Sequence, residues 1–314
     1  MKKLILLLLC ACIFAGCTPS DNKPPPEVDL IDQLELPRLS KSEQDKFPRL
    51  DGSTALIPLA EALYALVFDV SRSAAADMVE FHGTNQSYYS LIYDHAGLIL
   101  SYEPTEEVLM NYHESIESEY VEFEGWELAP IGRDALVFIV NESNPIDNLT
   151  TEQVQKIYTG EVTNWKELGG DDVEIEAFQR NATSGSQTLF MKLVMGEQEP
   201  VKPDVYYIPS AMGQLIESVV NFNNTGAAIG FSVYYYAQNM NPGDGLKFLS
   251  IDSVAPTRDT IRDGSYAHIN DFYAGIRKDA KADSLEREIF DWLQSPQGRA
   301  LIESENYVSI NQGE

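Results

Sequence analysis

Short apolar runs of strand length alternate along this chain with turns that open helices, and that alternation leaves few folds open. Leu98–Leu100, Leu136–Val140 and Ala227–Phe231 have the length and aliphatic character of strands buried on both faces. Asp51-Gly52-Ser53-Thr54 precedes Leu56, Leu59, Leu63 and Val67 at helical spacing, and His82-Gly83-Thr84-Asn85 precedes Tyr88, Leu91 and Ile92 in the same way. Thr150 to Tyr158 predicts a helix capped by Thr150, with Gln153 as its reciprocal partner and Gly160 as its stop. Ser284 to Leu293 predicts an amphipathic helix that ends around Ser295-Pro296. Strands and helices in turn predict an α/β protein, in which ligands sit at strand C-terminal edges and helix N-termini.

The first sixteen residues, MKKLILLLLCACIFAG, combine two lysines, an apolar run and small residues, the layout of a secretory signal peptide. Cys17 follows Ala15-Gly16, an arrangement that resembles a bacterial lipobox, in which the cysteine is lipidated and becomes the new N-terminus. Plain cleavage, leaving a free thiol, is the alternative. Cys10 and Cys12 leave with the leader, so no disulfide is expected within residues 17–314 and the core alone must hold the exported fold. Residues 17–49 are rich in proline and charge and read as a tether, stiffened by Pro24-Pro25-Pro26, with folded structure expected from Leu50. The formal net charge is −27, and loss of Lys2 and Lys3 makes it more negative, which argues against nucleic acid or anionic lipid surfaces as partners. After the leader, no apolar run is long enough to span a bilayer.

Gln179 to Phe190, QRNATSGSQTLF, carries the clearest chemistry. Backbone N–H groups at a helix N-terminus, hydroxyl residues just before it and one guanidinium suit a tetrahedral oxyanion. Gly185 permits close approach, Ser184 and Ser186 can donate hydroxyls, and Arg180 supplies a planar, permanently charged fork. An ordinary N-cap, Thr183 or Ser184 capping a helix that starts near Gln187, explains the stretch equally well. Ser53-Thr54 and Thr84-Asn85 share the design, which points to several helix dipoles aimed at one anion. His82, His95, His113 and His268 show no paired ligand spacing, so no metal and no cofactor are expected. Ser184 lacks a GxSxG elbow, and the segments around Tyr88-Tyr89 and Tyr234-Tyr235-Tyr236 read as packing before they read as a ligand wall.

The stretch PIGRDALVFIVNESNPIDNLTTEQVQKIYTGEVTNWKELGG, Pro130 to Gly170, together with QRNATSGSQTLF, TGAAIGFSVYYYA and DWLQSPQGRALIESENYVSI, resembles the phosphate-binding substrate-binding proteins of ABC transporters. The resemblance runs from about Leu50 to Ile310. It implies the type II periplasmic-binding-protein fold: two α/β lobes joined by two crossover strands, with the anion closed in the cleft. Residues 50–129 and 267–314 would form one lobe and residues 130–266 the other. Carried over residue by residue, it implies anion contacts from Thr54 and the Ala55 amide with Ser53 adjacent, from Thr84 with Asn85 following, and from Arg180, Ser184, Gly185 and Ser186 with the Gln187 amide close behind.

One departure stands out. Where these receptors carry an aspartate that accepts the phosphate proton, this chain has Leu100-Ser101-Tyr102-Glu103, with Tyr102 nearest to that place and Glu103 as the alternative acceptor. An acceptor is how such a site rejects fully deprotonated sulfate, so selectivity is expected to be weaker here, and Tyr102→Asp to restore it. Gly97 replaces a further family aspartate ahead of that strand. The expected function is therefore a non-enzymatic, monomeric, membrane-anchored extracytoplasmic receptor that delivers inorganic phosphate to ABC permease subunits. A receptor for sulfate, molybdate or tungstate, a surface phosphate sensor or adhesion protein, and an exported hydrolase are the alternatives.

Overall fold

The computed structural model describes residues 36, 38–117, 123–202, 208–209, 211–222, 226–241 and 244–310 of the 314-residue chain. The expected leader, Cys17 and most of the expected tether lie outside the described residues. The strands are β1 (Leu50–Gly52), β2 (Leu98–Tyr102), β3 (Trp126–Asn141), β4 (Asn148–Leu149), β5 (Glu176–Ala177), β6 (Ala228–Val233), β7 (Leu246–Phe248), β8 (Ser250–Ile251), β9 (Ile269–Arg277) and β10 (Val308–Ser309). The helices are α1 (Ile57–Phe68), α2 (Arg72–Ala76), α3 (Thr84–Ile92), α4 (Glu106–Glu117), α5 (Thr151–Tyr158), α6 (Gly185–Phe190), α7 (Met212–Asn221), α8 (Arg258–Arg262), α9 (Leu285–Leu293) and α10 (Pro296–Ser304).

β3 organises the molecule because it belongs to two sheets in succession. Trp126 to Ala135 runs antiparallel to β9, from Trp126 opposite Arg277 to Ala135 opposite Ile269. Leu136 to Val140 then runs antiparallel to β6, from Leu136 opposite Val233 to Val140 opposite Ile229. β1, β2 and β10 extend the first half, while β5 and β7 extend the second. The strand thus changes partners between Ala135 and Leu136, where Leu136 N–H donates to the His268 carbonyl at 2.9 Å as the chain returns toward β9. Two α/β halves result, spanned by β3 and by the return segment.

The sequence conceals the first half of β3. Pro130 has no N–H to give a ladder, and the register shifts between Pro130 and Gly132. A Cβ at Gly132 would stand 2.0 Å from the Phe272 ring, so glycine is what lets β9 pack there.

One apolar core runs through both halves. Leu56, Leu59, Leu63 and Val67 are all buried along α1, as their spacing predicts. In the other half Tyr158, Phe190 and Phe231 cluster, with Phe190 stacked on Phe231 at a centroid separation of 4.5 Å. Packing begins ahead of Leu50, since Phe47 lies 4.8 Å from the Tyr64 ring and 5.4 Å from the Phe68 ring, and Leu36 is buried as well. The end of the expected tether is therefore core, because its apolar residues cover α1. At Ser295-Pro296 one helix stops and α10 starts, with Pro296 in its first turn and the Ser295 hydroxyl accepting from Gly298 N–H at 3.1 Å. Among the described residues no helix is long and apolar enough to cross a membrane.

Candidate functional site

Three helix N-termini from the two halves border one cavity of about 480 Å³. The first half supplies Ser53 and Thr54, in the single 3₁₀ turn leading into α1, and Thr84 and Asn85 at the start of α3. The second half supplies Arg180, Ser184, Gly185 and Ser186 at the start of α6. Asp51 fixes the first two loops together. Its buried carboxylate accepts from the Gly52 and His82 N–H groups at 2.7 and 2.9 Å and from the Ser90 hydroxyl at 2.7 Å.

These three helix ends keep their donors. The caps at Ser53 and Ser184 make no side-chain capping bond and Gly83 has no side chain to make one, so no cap side chain takes the first-turn N–H groups there. Thr183 and Ser184 do not cap α6 in the ordinary way: Thr183 Oγ1 donates to Asn181 Oδ1 at 2.9 Å, and Ser184 Oγ lies 3.1 Å from Ser186 Oγ. Arg180 is held at both ends, its N–H donating to Gln187 Oε1 at 2.9 Å and its Nε to the Pro209 carbonyl at 3.0 Å. Burial lowers the guanidinium pKa, yet an arginine stays cationic at neutral pH.

The halves touch at the cavity. A Cβ at Gly185 would lie 2.7 Å from Thr84 Oγ1, so only glycine permits this approach. Beside it, the Lys192 ammonium pairs with Glu103, which also accepts from the Tyr273 hydroxyl at 3.2 Å. The Lys192 contact holds the Glu103 carboxyl below the usual carboxylate range. Glu103 is thus committed at the rim and does not line the cavity.

Eight residues expected at the site do line the cavity: Ser53, Thr54, Thr84, Asn85, Arg180, Ser184, Gly185 and Ser186. Ala55 and Gln187 do not. What is expected of these two is their backbone amides, in the first turns after Ser53 and Ser184; the Ala55 carbonyl accepts from the Tyr307 hydroxyl at 2.7 Å, and the Gln187 side chain accepts from the Arg180 N–H. His82, Tyr89, Tyr102, Glu107 and Tyr236 are among the other residues of the wall. His82 and Glu107 carried no motif, although His82 abuts the Gly83-Thr84 turn. The tyrosine segments divide: Tyr89 and Tyr236 face the cavity, Tyr88 packs on Trp126 at 5.2 Å and Tyr235 stacks on Tyr307 at 3.5 Å. A larger hollow of about 840 Å³ also borders His82, lined by five carboxylates, Asp45, Asp51, Glu80, Asp94 and Glu286, against two fixed cations, Lys46 and Arg49.

A family model described as a PBP superfamily domain matches residues 108–302. The chain belongs to the PBP superfamily. This PBP-superfamily chain is 29% identical over 183 residues to the phosphate-binding protein PstS of Borreliella burgdorferi, covering 56% of this chain and 63% of that protein. It is 25% identical over 266 residues to the phosphate-binding protein PstS of Staphylococcus aureus strain USA300, covering 82% and 77%. The chain spans 63% of the Borreliella relative and 53% of the Bacillus subtilis one. Among solved structures, a candidate phosphate ABC transporter substrate-binding protein from Clostridium perfringens, with bound phosphate, aligns at a TM-score of 0.64 with 22% identity, over 83% of this chain and 98% of that one. An ABC-type phosphate transport receptor from Vibrio cholerae aligns at 0.59 with 21% identity, over the same 83% and 98%. The PBP fold, two α/β lobes about a cleft, is therefore the architecture that β3 spans.

Proposed function

We propose that this protein is an extracytoplasmic receptor that captures inorganic phosphate between its lobes and hands it to the permease of an ABC importer, without catalysing a reaction. One observation carries the reading: three helix N-termini with unspent donors and one arginine, drawn from both halves, border a single cavity. Desolvated N–H and O–H donors plus Arg180 hold an anion despite the −27 net charge, because short local hydrogen bonds outweigh screened distant repulsion. The names of the relatives favour phosphate over sulfate, molybdate or tungstate. Ser184 Oγ meets Ser186 Oγ rather than a base, which favours binding over nucleophilic chemistry. In this reading residues 130–266 close against residues 50–129 and 267–314, Cys17 carries the lipid anchor, and the receptor works as a monomer.

Isothermal titration of the protein with phosphate, sulfate and molybdate tests it. Phosphate is expected to bind, and Arg180→Ala to weaken it at least tenfold, about 1.5 to 3 kcal/mol, with an unchanged melting temperature. No phosphate binding by the unaltered protein overturns the reading. The anchor has a separate test: Cys17→Ser is expected to leave the membrane fraction, and an acylated, membrane-bound mutant would refute lipidation at this cysteine.

A further inference from the structure

Tyr102 borders the cavity and has a buried partner, Asp134. Only 2% exposed, it lines the cavity from the C-terminal end of β2, and its carbonyl is taken by the Tyr88 hydroxyl at 2.8 Å, leaving the side chain to the cavity wall. Its hydroxyl donates to Asp134 Oδ2 at 2.9 Å. Asp134 sits on β3, one residue before the strand changes partners, and its Oδ1 accepts from the Ala135 and Tyr235 N–H groups at 2.8 and 3.1 Å. A phenol has one hydrogen and two lone pairs. With the hydrogen committed to Asp134, the oxygen keeps lone pairs with which to accept a further hydrogen bond.

Resting on the phosphate reading above, we propose that Tyr102, polarised by Asp134, is the acceptor for the proton of a bound hydrogen phosphate and so sets selectivity against unprotonated oxyanions. Tyr102 touches the ligand, whereas Asp134 positions it. The P–OH group donates to the Tyr102 oxygen while the Tyr102 O–H donates to Asp134, and no proton changes owner. Sulfate, with no hydrogen to give, sets lone pairs against lone pairs.

Asp134 is faced by Tyr102 from β2, by Tyr234 and Tyr235 just after β6, by Tyr307 ahead of β10 and by Asn270, its partner on β9, with Arg258 acting on Tyr234. Burial among these groups lifts its carboxyl to about 6, and burial keeps the Tyr102 phenol protonated. Below pH 6 a proton on Asp134 releases the Tyr102 hydrogen, which turns the tyrosine into a donor.

The test is titration of the protein, Tyr102→Phe and Asp134→Asn with phosphate and sulfate from pH 5 to 8, with melting curves beside each. Phosphate-over-sulfate preference at pH 8 is expected to fall about tenfold in Tyr102→Phe and at least as far in Asp134→Asn, where the amide donates to Tyr102 and turns its hydrogen outward. Sulfate stays a dianion across this range, so its affinity for the unaltered protein is expected to rise below pH 6. In Asp134→Asn that rise is expected to be smaller by the part Asp134 causes. The sulfate profile of the unaltered protein serves if Asp134→Asn does not fold. Phosphate binding with unchanged preference in Tyr102→Phe, or a sulfate affinity flat through pH 6, overturns the assignment. Failure of the unaltered protein to bind phosphate instead overturns the phosphate reading.

Discussion

Helix starts at the cleft and helix starts at the periphery use the same residue types to opposite ends. At the periphery, Thr150 accepts from Gln153 N–H at 3.1 Å while Gln153 Oε1 accepts from Thr150 N–H at 2.8 Å. Ser71, Thr257 and Ser295 likewise accept from N–H groups of their own first turns. At the cleft, Ser53 and Ser184 make no such bond, and Gly83 has no side chain with which to make one. These peripheral helix starts are satisfied by their own caps, whereas the serines at the cleft forgo about 1 kcal/mol of capping, which the proposed function explains as donors kept for a ligand. A serine before a helix therefore has no fixed meaning. What decides is whether its hydroxyl turns back onto its own first turn or faces the opposite lobe.

The largest expected effect that sharpens this contrast comes from Gly185→Ala. Alanine is the better helix former, so α6 itself gains or holds stability. The new methyl group would nevertheless press on Thr84 Oγ1, and overpacking of that kind costs about 1 to 3 kcal/mol. Phosphate affinity should drop about thirtyfold with no fall in melting temperature, as read by titration and calorimetry. A variant that binds normally would mean that the approach of Thr84 and Gly185 plays no part in holding the ligand.

Next in size is a paired substitution. Ser186→Ala should cost about tenfold in affinity, ~1.5 kcal/mol, and little stability. Thr150→Ala should cost about 1 kcal/mol of stability and nothing in affinity. If both variants lower the melting temperature and neither changes binding, the cleft helix ends are ordinary caps and the contrast breaks down.

Both kinds of helix start were legible in the sequence because apolar spacing and hydroxyl placement are local. α1, α3, α5 and α9 lie where 3.6-residue periodicity puts them. What stayed hidden was set by distant parts of the chain. Pro130 and Gly132 disguise half of β3, and only the Phe272 ring on β9 explains why glycine stands there. Asp134 gave no motif, since its role needs Tyr102 from β2 and the Tyr235 backbone beside it. Its presence also changes the outlook for Tyr102→Asp. A second carboxylate beside Asp134 sets like charges together in a buried site, so restored selectivity is no longer expected from that substitution.

The smallest expected effect concerns Lys192 and Glu103, a charged contact beside the cavity. Both side chains are largely exposed, at 58% and 45%, so the pair is worth at most about 1 kcal/mol and less in high salt. Lys192→Met should weaken phosphate binding fivefold or less, and 1 M salt should erase the difference between the variant and the unaltered protein. Its pH behaviour separates it from the site. Because Lys192 depresses the folded-state Glu103 pKa, the contribution is fully present above the ordinary carboxylate range and is lost only as pH falls through the lowered value. Between pH 6 and 8 it is constant. Any change in sulfate affinity centred near pH 6 then arises elsewhere than in this pair, and a sulfate titration in Lys192→Met that keeps its rise below pH 6 would clear the rim as its source.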